Sequence, residues 1–98
     1  MRIRILAAAE EDLEEGYRFY ESQSPGLGSY FLDSLYSGID SLAYFGGIHQ
    51  LVFGYHRLLS KRFPFAVYYR LIEKAVVVFA VLDCRRNPSW IRRRLMGS

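Results

Sequence analysis

Scarce cysteine, scarce histidine and the lack of any long apolar run set the first limits on this chain. A single cysteine in 98 residues, Cys84, excludes an internal disulfide framework and an all-cysteine zinc site. It fits a reducing cytoplasm and reads as a small buried residue at a strand end. His49 and His56 stand seven positions apart, with no carboxylate pair or second thiol at ligand spacing, so neither a metal nor another cofactor is expected. The longest apolar runs, such as 75–82, fall far short of the roughly 20 residues that a membrane-spanning helix needs. The N-terminus lacks the layout of a signal peptide. Gly26-Leu27-Gly28 has no following lysine and no strand–loop–helix setting, which removes a phosphate-binding loop. No repeat, linker or low-complexity stretch is visible. One domain over 1–95 is therefore expected, with 96–98 as a disordered tail or cloning remnant.

What the chain does have is an ordinary globular share of apolar residues, 51 %, and a marked polarity of charge. Residues 1–50 carry three basic side chains (Arg2, Arg4, Arg18) and eight acidic ones, a net of −5. Residues 51–98 carry ten basic side chains against Glu73 and Asp83, a net of +8. A basic second half suits an anionic partner, either nucleic acid or an acidic protein surface.

The hydrophobic period changes along the chain. Residues 1–6 alternate, with Ile3 and Ile5 on one side, and predict a short strand. From Ala7 the spacing becomes helical through Leu13, Tyr17 and Tyr20, with early acids offsetting the macrodipole. The breakers at 22–28 end that helix and start a second, whose stripe is Phe31, Leu32, Leu35, Ile39 and Leu42. So short a connection predicts an antiparallel helical hairpin. After Gly47 the period is two, predicting strands over 52–60, 65–72 and 75–83, the last two joined tightly at Glu73-Lys74. The final strand is apolar on both faces and belongs in the sheet interior. Pro88 opens a short basic helix over 89–95. The fold class is α+β, ordered β-α-α-β-β-β-α, with the hairpin packed on a mostly antiparallel four-stranded sheet. Leu13, Tyr17, Leu35, Ile39, Val67, Val78 and Ala80 are the expected core.

The candidate chemistry is a basic constellation: His56, Arg57, Lys61, Arg62 and Arg70 on the strands, then Arg85, Arg86, Arg92, Arg93 and Arg94 at the exit. Tyr55, Tyr68, Tyr69 and Trp90 are interleaved. Arginine beside aromatics suits phosphate contact and stacking. A metal-free ribonuclease could be built from such a set, a histidine or tyrosine moving protons and arginines stabilising phosphorane charge. Sheet packing and a solvated basic rim explain the same residues equally simply.

The stretch Lys61-Arg-Phe-Pro-Phe-Ala-Val-Tyr-Tyr-Arg70, followed by 76–82 and Arg85-Arg-Asn-Pro88, resembles the RelE/ParE superfamily of bacterial type II toxins. Ala9-Glu-Glu-Asp-Leu13, Phe19-Tyr20-Glu21, Gly26-Leu-Gly28 and Phe31 extend the resemblance over most of 1–95. It implies a small cytoplasmic toxin held inactive by a cognate antitoxin, whose flexible segment wraps it. RelE-like members cut mRNA on the ribosome, whereas ParE-like members poison DNA gyrase without nuclease activity. Where RelE-type enzymes commonly place an arginine after the turn into the middle strand, this chain has Phe65-Ala66-Val67. Where some carry a histidine and tyrosine after the last strand, it has Asn87 and Pro88. The resemblance therefore leans to a ParE-like gyrase poison, not an enzyme. Its expected target or antitoxin contacts are Lys61, Arg62, Tyr69, Arg70, Arg85, Arg86, Asn87, Trp90 and Arg93. The alternative is a ribosome-dependent, metal-independent mRNA interferase using His56, Arg57, Arg62, Tyr68 and Arg85. A relative without toxicity that only binds its partner is the third reading.

Overall fold

The computed structural model describes residues 1–97. The elements follow in the order β1 (Arg2–Ile5), α1 (Ala7–Gln23), α2 (Leu27–Phe45), β2 (Leu51–Val52), β3 (Tyr55–Leu59), β4 (Phe65–Ile72), β5 (Ala75–Asp83) and α3 (Pro88–Met96). They form one five-stranded sheet, ordered β1-β5-β4-β3-β2. β1 runs parallel to β5, and the other neighbours are antiparallel. The α+β class and the helical hairpin stand as expected, but the sheet gains a strand. Phe53 and Gly54 both adopt positive φ (53° and 84°), which breaks the expected strand 52–60 into a tight hairpin with Val52 opposite Tyr55. Glu73 and Lys74 make the second such turn, at φ 49° and 63°.

Alternation divides the sheet's side chains between two layers. Val67, Tyr69, Val76, Val78 and Val81 meet Leu13, Phe31, Leu35 and Ile39 from the hairpin. Glycine allows the two helices to close. A Cβ on Gly16 would stand 2.4 Å from the Phe31 ring, and one on Gly28 2.7 Å from the Tyr17 carbonyl. Glu21 links them further: its carboxylate accepts from the Gly26 and Gly28 N–H groups, at 3.0 and 2.9 Å, where α2 begins. Tyr17, expected in the core, is only half-buried, and Tyr20 takes the inner position.

The opposite face is not bare. Tyr55, Ala66, Tyr68, Ala80 and Leu82 form a second, smaller core beneath Ile91 and Leu95 of α3. Tyr55 donates its hydroxyl to the Leu95 carbonyl at 2.9 Å. Of the expected tail at 96–98, Met96 closes α3 and Gly97 caps it, while Ser98 lies outside the described residues.

Candidate functional site

Two connections meet at one end of the sheet, and they carry most of the candidate contact residues. The loop between β3 and β4 holds Lys61 and Arg62, and the exit from β5 holds Arg85 and Arg86. The Cys84 N–H donates to the Pro64 carbonyl at 2.8 Å, which ties the two together. Cys84 itself is exposed rather than buried, although partial burial of its thiol raises its pKa and keeps it protonated.

Three of the four cations at this end have a defined seat. Arg62 donates to the Tyr30 hydroxyl at 2.8 Å. Arg85 grips Asp83 in a fork, Nε to Oδ1 at 3.0 Å and Nη2 to Oδ2 at 2.7 Å. Those hydrogen bonds hold the Asp83 carboxyl below its ordinary range. Arg86 lies over the Trp90 ring, 4.2 Å from its centroid. Lys61, Arg62, Arg85, Arg86 and Trp90 thus share one end, and all four cations are exposed. Arg93 is exposed on α3.

Of the other expected contact residues, Tyr69 and Arg70 lie elsewhere, and Asn87 has a structural role at this end. Tyr69 has no accessible surface, so it is not a contact residue: it points into the main core. Its hydroxyl accepts from the Gly47 N–H at 2.9 Å and pairs with His49 Nδ1 at 2.5 Å. Asn87 works as the cap of α3, accepting from the Ser89 N–H at 2.8 Å. Arg70 sits farther along β4, its guanidinium 3.9 Å from the Tyr55 ring centroid.

Of the residues expected to form a ribonuclease, Arg57 and Tyr68 are brought together, but His56 is not. His56 pairs with Tyr69 and faces the hairpin side, whereas Arg57 and Tyr68 pair with each other on the α3 side. The His56 ring stacks on Tyr69 and its Nδ1 is bonded to the His49 carbonyl oxygen at 2.7 Å. Burial raises the Tyr68 pKa, leaving a protonated phenol that is a poor base near neutrality. Arg57 is largely enclosed, its Nε buried without a partner. Among the described residues, no group of three or more His, Cys, Asp or Glu side chains is placed to hold a metal ion. No described helix is long and apolar enough to cross a membrane.

The sequence reading also missed a pairing. Asp12 on α1, nine-tenths buried, accepts from both terminal nitrogens of Arg94 at 2.8 Å and from the Val81 N–H at 3.0 Å. Arg94, counted above with the basic exit, is therefore turned inward. One signal was available: Asp12 falls on the same helical stripe as Ala9, Leu13 and Gly16, unlike the neighbouring glutamates.

No family model matches the sequence, and no curated protein matches it. Solved structures do. A chain of the structure described as "Chromosomal ParDE TA system from P. aeruginosa" superposes with a TM-score of 0.74 at 20 % identity. The match covers 85 % of this chain and 95 % of that one. Two packed helices on a mixed five-stranded sheet, closed by a C-terminal helix, give this chain a ParE-like fold.

Proposed function

We propose that this chain is the toxin of a type II toxin–antitoxin pair, acting in the bacterial cytoplasm. A cognate antitoxin neutralises it, and it arrests growth through protein–protein contact with DNA gyrase. The observation that carries the reading is the fold likeness over 85 % of the chain to a component of a ParDE toxin–antitoxin system. The choice of contact over catalysis is supported by His56 lying on the opposite sheet face from Arg57 and Tyr68. A proton-transferring group and its phosphate-binding cation must converge on one substrate; His56 diverges from Arg57, and Tyr68, which shares the Arg57 face, is kept protonated by burial. The contact surface is the basic end formed by Lys61, Arg62, Arg85, Arg86 and Trp90.

Controlled expression in a bacterium, with the DNA-damage response and translation rate followed in one culture, tests this. An early damage response with translation still running is the expected result. Immediate translation arrest with ribosomal mRNA cleavage would establish the interferase instead. Soluble protein with neither response would leave a partner-binding relative without toxicity.

A further inference from the structure

The end of the sheet opposite the basic one carries a second surface, and it is apolar. Helix α2 runs out at Tyr44 and Phe45, and the connection to β2 brings Ile48 and then Leu51 after them. Tyr44 is 86 % exposed and Ile48 73 %, and Phe45, Leu51 and Leu71 are exposed as well. The Ile48 N–H donates to the Phe45 carbonyl at 3.4 Å, and a Cβ on Gly47 would stand 2.9 Å from Leu71 Cδ1. Leu51 follows opposite His56, whose ring is bonded to the His49 carbonyl oxygen. These side chains therefore line one rim. Their exposed area is roughly 700 Å², against about 300–600 Å² for the largest apolar patch of a typical monomer.

The rim is apolar because the connection spends its polar groups inward. The Gly47 N–H and the His49 ring both engage the Tyr69 hydroxyl, and the Gln50 carbonyl accepts from the Arg57 N–H at 2.9 Å. The segment is pinned with its apolar side chains outward. Residues 41–56 hold no Asp, Glu, Lys or Arg, in a chain of which 23 % is charged. That lack selects the occupant. An acidic segment or a nucleic acid would find no cation here, and an anionic lipid surface none of the basic flanks that hold a peripheral protein. A second copy meets no like charge across a two-fold axis at this rim. Pairing here also holds the two basic ends, with Lys61, Arg62, Arg85 and Arg86, away from each other and leaves both free.

We propose that two copies of this chain associate through the rim of Tyr44, Phe45, Ile48, Leu51 and Leu71, as a two-fold dimer with the basic ends facing outward. A standard interface buries about 800 Å² per partner, and the rim nearly supplies that area by itself. The same patch is used by both copies, so the contact closes at two and builds no filament. The proposal does not depend on this chain's being a toxin.

Sedimentation of the purified chain over a concentration series tests this, with amide NMR shifts on dilution reporting location. The expected result is a reversible monomer–dimer equilibrium with a Kd of about 1–100 µM, which added salt does not weaken. Dilution should shift the Tyr44, Ile48 and Leu51 amides. Tyr44→Lys with Ile48→Lys should weaken association at least tenfold, and so should Tyr44→Ser with Ile48→Ser. Glu10→Gln with Glu11→Gln, which raises the charge by the same two units as the lysines, should leave it unchanged. A chain still monomeric at about 1 mM, a serine variant that associates as tightly as wild type, species larger than a dimer, or shifts confined to the basic end would each overturn the proposal. So would a monomer whose rim amides shift on phosphatidylcholine vesicles, which would make the rim a membrane anchor. Circular dichroism of each variant verifies that the fold is intact.

Discussion

Replacing Asp12 by alanine should be among the most damaging single changes in this chain. Three hydrogen bonds end on its carboxylate, two of them charge-assisted from Arg94 and one from the buried Val81 N–H. Val81 lies beyond the stretch of β5 that pairs with β1, so no strand offers that N–H a substitute acceptor. An unsatisfied buried N–H costs about 1–3 kcal/mol. Breaking a fully buried ion pair costs about 3–5 kcal/mol, but Arg94 keeps about a quarter of its side chain exposed and regains water. Together these give a loss of about 2–3 kcal/mol. In a domain of this size that corresponds to roughly 10–20 °C in Tm, at about 4–8 °C per kcal/mol. Asp12→Asn keeps an oxygen for Val81 and should cost about half as much. Arg94→Met tests the charge separately. Burial already outweighs the Arg94 and Val81 bonds, so Asp12 titrates above its ordinary value. A raised carboxyl favours the folded state at low pH and loses that contribution as pH rises through its folded pKa. Without Arg94 the pKa rises further, and the variant's deficit should widen between acid and neutral pH. Urea unfolding across that range measures all three. An Asp12→Ala stability within about 0.5 kcal/mol of wild type would refute the reasoning.

Arg85→Ala with Arg86→Ala should reduce toxicity in the expression assay while moving stability by less than about 1 kcal/mol, since Arg85 is exposed and Asp83 only partly buried; full growth arrest by the double variant would exclude this end as the contact surface. Burial, with His56 nearby, lowers the His49 pKa, so its contribution is complete above the unfolded value of about 6.5 and is lost as pH falls through the folded one. His49→Gln should therefore flatten the fall in Tm between pH 7 and 5, and unchanged slopes would show that the Tyr69 contact does not sense protonation. Lys74→Gly should stabilise the domain by about 1 kcal/mol, because a side chain at φ 63° carries a left-handed penalty. Chemical denaturation checks it, and a loss of stability would mean that the lysine contributes more than its backbone strain costs.

Most of the fold was legible because its punctuation is local. The period change at Ala7, the breakers at 22–28 and the Pro88 start are each read within a few residues, and each marks a real boundary. The break at Phe53 was not legible, since a bulky aromatic favours extended backbone and gives no warning of positive φ. Tyr68 and Tyr69 were hard to assign to faces because 65–69 has no polar residue to mark the solvent side. Only the register sends Tyr69 to the main core and Tyr68 beneath α3. The candidate site divides in the same way. The clustered arginines announced a basic end, but the inward turn of Arg94 depends on a partner 82 positions away. No window along the chain contains both.

That separation bears on how the molecule comes into being. β1 is synthesised before the rest of the sheet, yet its strand neighbour among the described residues is the stretch from Ala75 to Val78. Until that stretch has emerged from the ribosome, Ile3, Ile5 and the inner stripe of the hairpin have no sheet to cover them. Contacts of such long sequence separation slow folding and leave apolar surface open meanwhile. The N-terminal half should therefore behave during translation as an unfinished, chaperone-dependent fragment, and the molecule should assemble in one late step rather than helix by helix.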